Sequence, residues 1–156
     1  VLVEIYRPYV ENTAISFECE TPSVDEFRSR IENISKKYTY IVMVGDDEIV
    51  GYAYAGRFKG RKAYDWCVET TIYVREDKKG GGYGKKLYLE LEKRLKKQNI
   101  LNMYACIAYT DNEDEHLTNN SMQFHEHMGF RLIGTFKKCL KKSSDFQLHR
   151  TYLKSL

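Results

Sequence analysis

The chain has 156 residues and a formal charge of +3, with 25 basic and 22 acidic side chains interspersed, which fits one domain and gives no ground for nucleic-acid binding. No apolar run approaches the ~20 residues of a membrane span, and no signal peptide opens the sequence. Cys19, Cys67, Cys106 and Cys139 are scattered, without a C-x-x-C pair or a histidine at zinc spacing; they suggest buried thiols of a reducing cytoplasm, and neither a metal site nor a disulfide framework. The first residue is Val1, inside a helical pattern, which points to residues upstream.

Leu2, Ile5, Tyr6 and Tyr9 recur at helical spacing, and Asn12-Thr13 break that helix before an alternating stretch from Ala14 to Glu20. A second helix starts at Thr21-Pro22-Ser23, with Ser23 as cap, Glu26 completing a capping box, and Phe27, Ile31 and Ile34 as its apolar stripe. Tyr40 to Val44 and Glu48 to Ala55 read as strands joined by the Gly45-Asp46-Asp47 turn. After the basic loop Arg57 to Lys62, Tyr64 to Val74 reads as a long strand with Val68, Thr70, Ile72 and Val74 on one side and Glu69, Thr71 and Tyr73 on the other. Gly84 to Asn99 is an amphipathic helix bearing Leu87, Leu91 and Leu95, and Asn102 to Tyr109 is a nearly all-apolar, central strand. Thr110 to Asn120 is an acidic loop, Ser121 to His127 a short helix closed by Gly129, and Phe130 to Lys137 a strand. The alternating order makes the fold class α/β (α+β).

Between the strand ending at Val74 and the next helix runs Lys78-Lys-Gly-Gly-Gly-Tyr-Gly-Lys-Lys86. Glycines let backbone amides approach a ligand, and the helix start adds unpaired N–H groups and a positive dipole end, so the segment is a phosphate cradle. A Walker A loop is excluded because Lys79 stands where its first glycine belongs and Lys86 where its Ser or Thr belongs. The order G-G-G-x-G also fails the dinucleotide fingerprint, and the helix after Gly84 fails the RNA-binding aromatic strand.

Lys79-Gly-Gly-Gly82-Tyr-Gly84 instead resembles the pyrophosphate loop of the GNAT acetyltransferases. Four further segments, Tyr6 to Phe17, Gly51-Tyr-Ala-Tyr-Ala55, Ala63-Tyr-Asp-Trp-Cys-Val-Glu69 and Phe124-His-Glu-His-Met-Gly-Phe130, resemble the phosphinothricin N-acetyltransferase branch in the right order. The resemblance covers nearly the whole chain. It implies a single GNAT domain over residues 1–156, with a mixed, strongly twisted sheet flanked by helices on both faces and splayed between two central strands. It also implies acetyl-CoA as the cofactor, a small amino-acid-like amine as the acceptor, and a homodimer. The family's usual first strand has no counterpart before Leu2.

Attack by an amine on a thioester requires a base. Glu69, on the polar side of the strand leading to the glycine loop, matches the glutamate the family is thought to use. His125 matches the position where this branch carries His and GNAT enzymes generally carry Tyr; its ordinary pKa of about 6.5 suits an acid for the departing thiolate or a helper for the amine proton. The resemblance places the backbone of Ile72, Tyr73 and Val74 against the pantetheine and the thioester oxygen. It places Lys79, Gly80, Gly81, Gly82, Tyr83, Gly84 and Lys85 around the pyrophosphate. Relatives carry a cofactor-contacting Asn where this chain has Thr118, with Asn119 and Asn120 next, so Asn120 is the candidate. For the acceptor, Phe58, Tyr64 and Trp66 offer an aromatic wall, and Arg57 or Arg61 a cation for a carboxylate or phosphinate.

The tail departs from the family. In place of a Gly-x-Trp segment and an Asp-containing strand it reads Ser144-Asp-Phe-Gln-Leu-His-Arg150, with Phe146 in place of the Trp. Three functions therefore stand side by side: a small-molecule N-acetyltransferase, a GNAT-fold protein that binds acetyl-CoA without catalysis, and a peptide or protein N-acetyltransferase.

Overall fold

The computed structural model describes residues 1–142 and 145–156, with side chains at 1–142 and 148–156. Its helices and strands follow as α1 (Leu2–Glu11), α2 (Val24–Ser35), β1 (Tyr40–Gly45), β2 (Glu48–Arg57), β3 (Cys67–Val74), α3 (Tyr83–Lys97), β4 (Asn102–Tyr109), α4 (Asn120–His127), β5 (Arg131–Lys142) and β6 (Asp145–Ser155). The strands form one mixed sheet in the order β1-β2-β3-β4-β6-β5. All neighbours are antiparallel except β3 and β4, which run parallel and pair only over Cys67–Glu69 against Asn102–Tyr104.

That short register positions the site. Beyond Glu69 the two strands part, and the inner edge of β3 from Thr70 onward has no ladder partner on the β4 side. Strand alternation then divides the residues between two layers. Val68, Met103, Ala105 and Ile107 bury against Leu87, Tyr88, Leu91 and Leu95 of α3. On the opposite face Tyr52 packs with Tyr6, Tyr9 and Val10 of α1 and Phe27 of α2, and Tyr73 joins them as a partly buried neighbour. Burying about 150–250 Å² apiece, such aromatics supply much of the second layer's stability.

Several boundaries differ from the sequence expectations. Ala14 to Glu20 alternates in burial yet pairs with no strand, because its N–H groups are satisfied otherwise: Ala14 donates to the His116 carbonyl, Ile15 to Thr13 Oγ1 and Glu18 to Ser16 Oγ. Short hydroxyl side chains offer the backbone this alternative to a ladder. The long third strand begins only at Cys67, since Lys62–Tyr64 closes into a 3-10 turn. β5 extends to Lys142 rather than ending at Lys137, and the divergent tail forms β6, inserted between β4 and β5. Whether Phe146 replaces the family's Trp lies outside the described side chains. The four cysteines are free, but Cys19 and Cys139 are exposed and Cys67 and Cys106 half-buried, so the expectation of buried thiols is corrected.

Candidate active site

A cavity of about 240 Å³ occupies the opening between β3 and β4. Glu69, Thr70, Thr71, Ile72 and Tyr73 form one wall and Ala105, Cys106 and Ile107 the other. Tyr88 of α3 and Ser121 and His125 of α4 close one side, while Tyr6 and the loop residues Ile15, Ser16, Phe17 and Glu18 close the other, next to Tyr54. Of the residues singled out from sequence, Glu69, Ile72, Tyr73 and His125 line this cavity.

Glu69 stands at the last paired position of β3 before the strands part, opposite Gly56 of β2 and Tyr104 of β4. Burial, and then the nearby Glu69 charge, push the Cys106 thiol up to about 12. Cys106 is accordingly a neutral, unreactive neighbour of the carboxylate. Burial also raises the Tyr54 hydroxyl, with the charges of Glu18 and Glu69 adding to the effect. Tyr6 donates to Glu18 Oε1 at 3.1 Å and shares a 2.6 Å hydrogen bond with Ser16, and Glu18 in turn accepts from Arg30 at 2.6 Å.

His125 is only 4% exposed. Its Nδ1 lies 2.7 Å from the Ser121 carbonyl, which can only accept, so the ring proton sits on Nδ1 and the Nε2 lone pair receives the Tyr88 hydroxyl at 2.7 Å. Burial lowers its pKa to about 4. At neutral pH the imidazole thus has no proton on Nε2, the atom facing Tyr88. His125 thus reaches the cavity wall with its Nε2 engaged by the Tyr88 hydroxyl. Tyr88 itself was missed in the sequence, where it is one more apolar member of the α3 stripe.

The glycine segment forms a cradle outside the cavity. Gly80 and Gly82 have φ of +82° and +75°, where a Cβ is strained, and nothing lies within 4 Å of the space a side chain would enter. Gly82 is the N-cap of α3 and provides no side-chain cap, so the first-turn N–H groups of Tyr83, Gly84 and Lys85 face outward without helical partners. These features fit the pyrophosphate of acetyl-CoA. Lys79 adds charge here, its Nζ 4.7 Å above the Tyr9 ring, and exposed Lys85 follows in the first turn of α3. Gly81 and Gly84 also allow close packing: an added Cβ would come within 2.9 Å of the Tyr83 ring and 3.2 Å of the Phe124 ring respectively. The Val74 carbonyl accepts from the Tyr9 hydroxyl. Asn120 is exposed, while Asn119 binds the end of β4, donating to the Thr110 carbonyl at 3.0 Å.

Phe58, Tyr64 and Trp66, the expected acceptor aromatics, do not line the cavity. Phe58 stacks on Tyr104 at 4.0 Å and meets Tyr64 edge-on at 6.1 Å. Trp66 is 57% exposed. Arg57 and Arg61 are exposed at the end of β2 and at the start of the 3-10 turn.

Residues 2–146 match the family described as the acetyltransferase (GNAT) domain. The chain belongs to the GNAT acetyltransferase family. It is 30% identical to the phosphinothricin N-acetyltransferase of Streptomyces viridochromogenes over 86% of this chain and 69% of that protein. It is 29% identical to the L-methionine sulfoximine/L-methionine sulfone acetyltransferase of Pseudomonas aeruginosa over 85% of this chain and 74% of the relative. A crystal structure of a GNAT superfamily phosphinothricin acetyltransferase from Sinorhizobium meliloti in complex with acetyl-CoA superposes with a TM-score of 0.89 at 31% identity, over 99% of this chain and 80% of the other. This GNAT protein is thus an acetyl-transferring enzyme whose cofactor is acetyl-CoA. Among the described residues no helix is long and apolar enough to cross a membrane.

Proposed function

We propose that this enzyme acetylates the amino group of a small amino-acid-like acceptor, of the phosphinothricin or methionine sulfoximine kind, with Glu69 as general base. The observation that carries this reading is the place of Glu69: it lines the cavity where β3 and β4 part, on the face that also holds Tyr54 and Cys106. Acetyl-CoA supplies an acetyl group on a thioester. The acceptor nitrogen bonds to the acetyl carbon, the carbon–sulfur bond breaks with its electron pair leaving on sulfur as the coenzyme A thiolate, and Glu69 takes the proton that the amine nitrogen loses. The unpaired inner edge of β3 at Ile72, Tyr73 and Val74 receives the pantetheine, and Lys79, Gly80, Gly81, Gly82, Tyr83, Gly84 and Lys85 hold the pyrophosphate, with Asn120 at the mouth. His125 works by fixing the direction of the Tyr88 hydroxyl. Phe58, Tyr64 and Trp66 with Arg61 form the outer acceptor wall, on the cavity's Glu69 side.

Cytoplasmic residence and a homodimer belong to the same proposal, supported by four free cysteines and by exposed Leu132, Ile133 and Phe136 on edge strand β5. The test is release of free thiol from acetyl-CoA with a panel of amino acids that includes methionine sulfoximine. Turnover with free amino acids is expected, and Glu69→Gln should lower kcat by roughly 10²–10⁴-fold. Failure of every amine, or full activity in Glu69→Gln, would overturn the reading.

A further inference from the structure

Glu18, on the loop after α1, brings a second carboxylate to the cavity that Glu69 lines. The charges of both act on the Tyr54 hydroxyl, so both lie near its tip. The fold holds Glu18 in place. Its N–H donates to Oγ of the buried Ser16 at 3.2 Å. Its Oε1 accepts from the buried Tyr6 hydroxyl at 3.1 Å and from Arg30 Nη1 at 2.6 Å. Arg30 is itself shared with Glu26. The nearby Lys142 ammonium donates to the carbonyls of Val10 and Ser16 instead. Among the described residues no hydrogen bond reaches Glu18 Oε2. A carboxylate offers about four acceptor sites, so this oxygen stays open, and the side chain is 37% exposed.

We infer that Glu18 Oε2 receives the ammonium group of the acceptor and so selects amines over alcohols at this cavity. The inference rests on the acceptor reading above and deepens it. A free amino acid carries its amine mainly as ammonium at neutral pH, and that cation must dock before Glu69 takes a proton from it. With the ammonium held by Glu18, Glu69 keeps its own lone pairs for that proton. Anionic acceptors are suited as well: the carboxylate and phosphinate of phosphinothricin are left to Arg61 at the outer wall, while its ammonium meets Glu18. A hydroxyl in place of the ammonium makes only a hydrogen bond without the cation's charge, and bonds between two charged partners are the stronger and shorter ones.

The test measures binding to the enzyme loaded with coenzyme A, where no acetyl group can move. Phosphinothricin and its 2-hydroxy counterpart are titrated by calorimetry. The wild type should bind phosphinothricin at least about tenfold more tightly, the span of one hydrogen bond to a charged group. Glu18→Gln should bring that ratio to about twofold or less without moving coenzyme A affinity. Glu18→Asp keeps the charge and should hold a ratio above that of the Gln variant. Since nothing is transferred, this ratio is independent of the kcat loss in Glu69→Gln that tests the base. A wild-type ratio near one, or no binding of either compound, overturns the inference. So does a ratio that survives Glu18→Gln; with a lowered melting temperature, that result makes Glu18 a strut for Arg30 only. A ratio lost in Glu69→Gln and kept in Glu18→Gln would assign the ammonium to Glu69 instead.

Discussion

Nε2 of His125 accepts the Tyr88 hydroxyl at 2.7 Å while Nδ1 donates to the Ser121 carbonyl, so one neutral imidazole joins α3 to α4 across the cavity wall. Burial lowers the pKa of this ring to about 4 from the ordinary 6.5. The unfolded state therefore binds the proton more readily than the folded one. The stability held by the neutral ring is fully present above about pH 6.5 and drains away as pH falls toward 4, by up to about 3 kcal/mol at 1.36 kcal/mol per unit. Urea unfolding across this window should show the loss. His125→Gln should remove that part of the slope; an unchanged slope would show that the ring is not neutral in the fold.

Gly82 sets the geometry of the glycine loop, proposed above to hold the cofactor, with φ of +75° and open space where a side chain would stand. Gly82→Ala introduces no clash, so its effect comes from left-handed strain of about 1–2 kcal/mol, which the loop relieves by rotating away from the αL region. Acetyl-CoA affinity measured by calorimetry should fall roughly tenfold, since 1.4 kcal/mol is a factor of ten. Wild-type affinity in the variant would show that the N-cap backbone does not hold the pyrophosphate.

Lys154 of β6 and Glu92 of α3 form an ion pair at 2.5 Å in which both side chains are largely shielded. Removing only the lysine strands a nearly buried carboxylate. Lys154→Met should cost about 2 kcal/mol, below the ~3–5 kcal/mol of fully buried pairs because the lysine keeps some solvent. Adding Glu92→Gln should recover most of the loss in chemical denaturation.

Sequence alone carried the elements whose signals are local. β4 matched its apolar run from Asn102 to Tyr109, and the α2 start was visible in Ser23, whose Oγ accepts the Glu26 N–H. The turn of glycines before α3 and the position of Glu69 on β3 were likewise legible, the one from spacing and the other from strand alternation. Contacts between distant segments were not. Tyr88 and His125 are 37 positions apart, and nothing in an amphipathic helix distinguishes a tyrosine that serves a cavity from one that fills a core. The loop of Ser16 and Glu18 reads as a strand by alternation because one side of it is buried against the sheet, although its hydrogen bonds are local. β5 was cut short because Lys137, Lys138, Lys141 and Lys142 look like a solvated run, and its pairing with β6 depends on a partner further along the chain.

One of those lysines turns out to brace the cavity wall. Lys142 Nζ donates to the carbonyl of Val10 at 2.7 Å and to that of Ser16 at 3.0 Å, tying the end of β5 to the last turn of α1 and to the loop that lines the cavity. Desolvation lowers its pKa, yet as an ammonium it complements the negative end of α1. Lys142→Met should free the 14–18 loop, raising the acceptor KM about tenfold while leaving the acetyl-CoA KM unchanged, because the cradle proposed for the cofactor is at the start of α3 and includes neither carbonyl. Lys142→Arg keeps the donors and should restore part of the acceptor KM. Equal rises in both KM values would mean that the contact supports the fold as a whole rather than the acceptor wall.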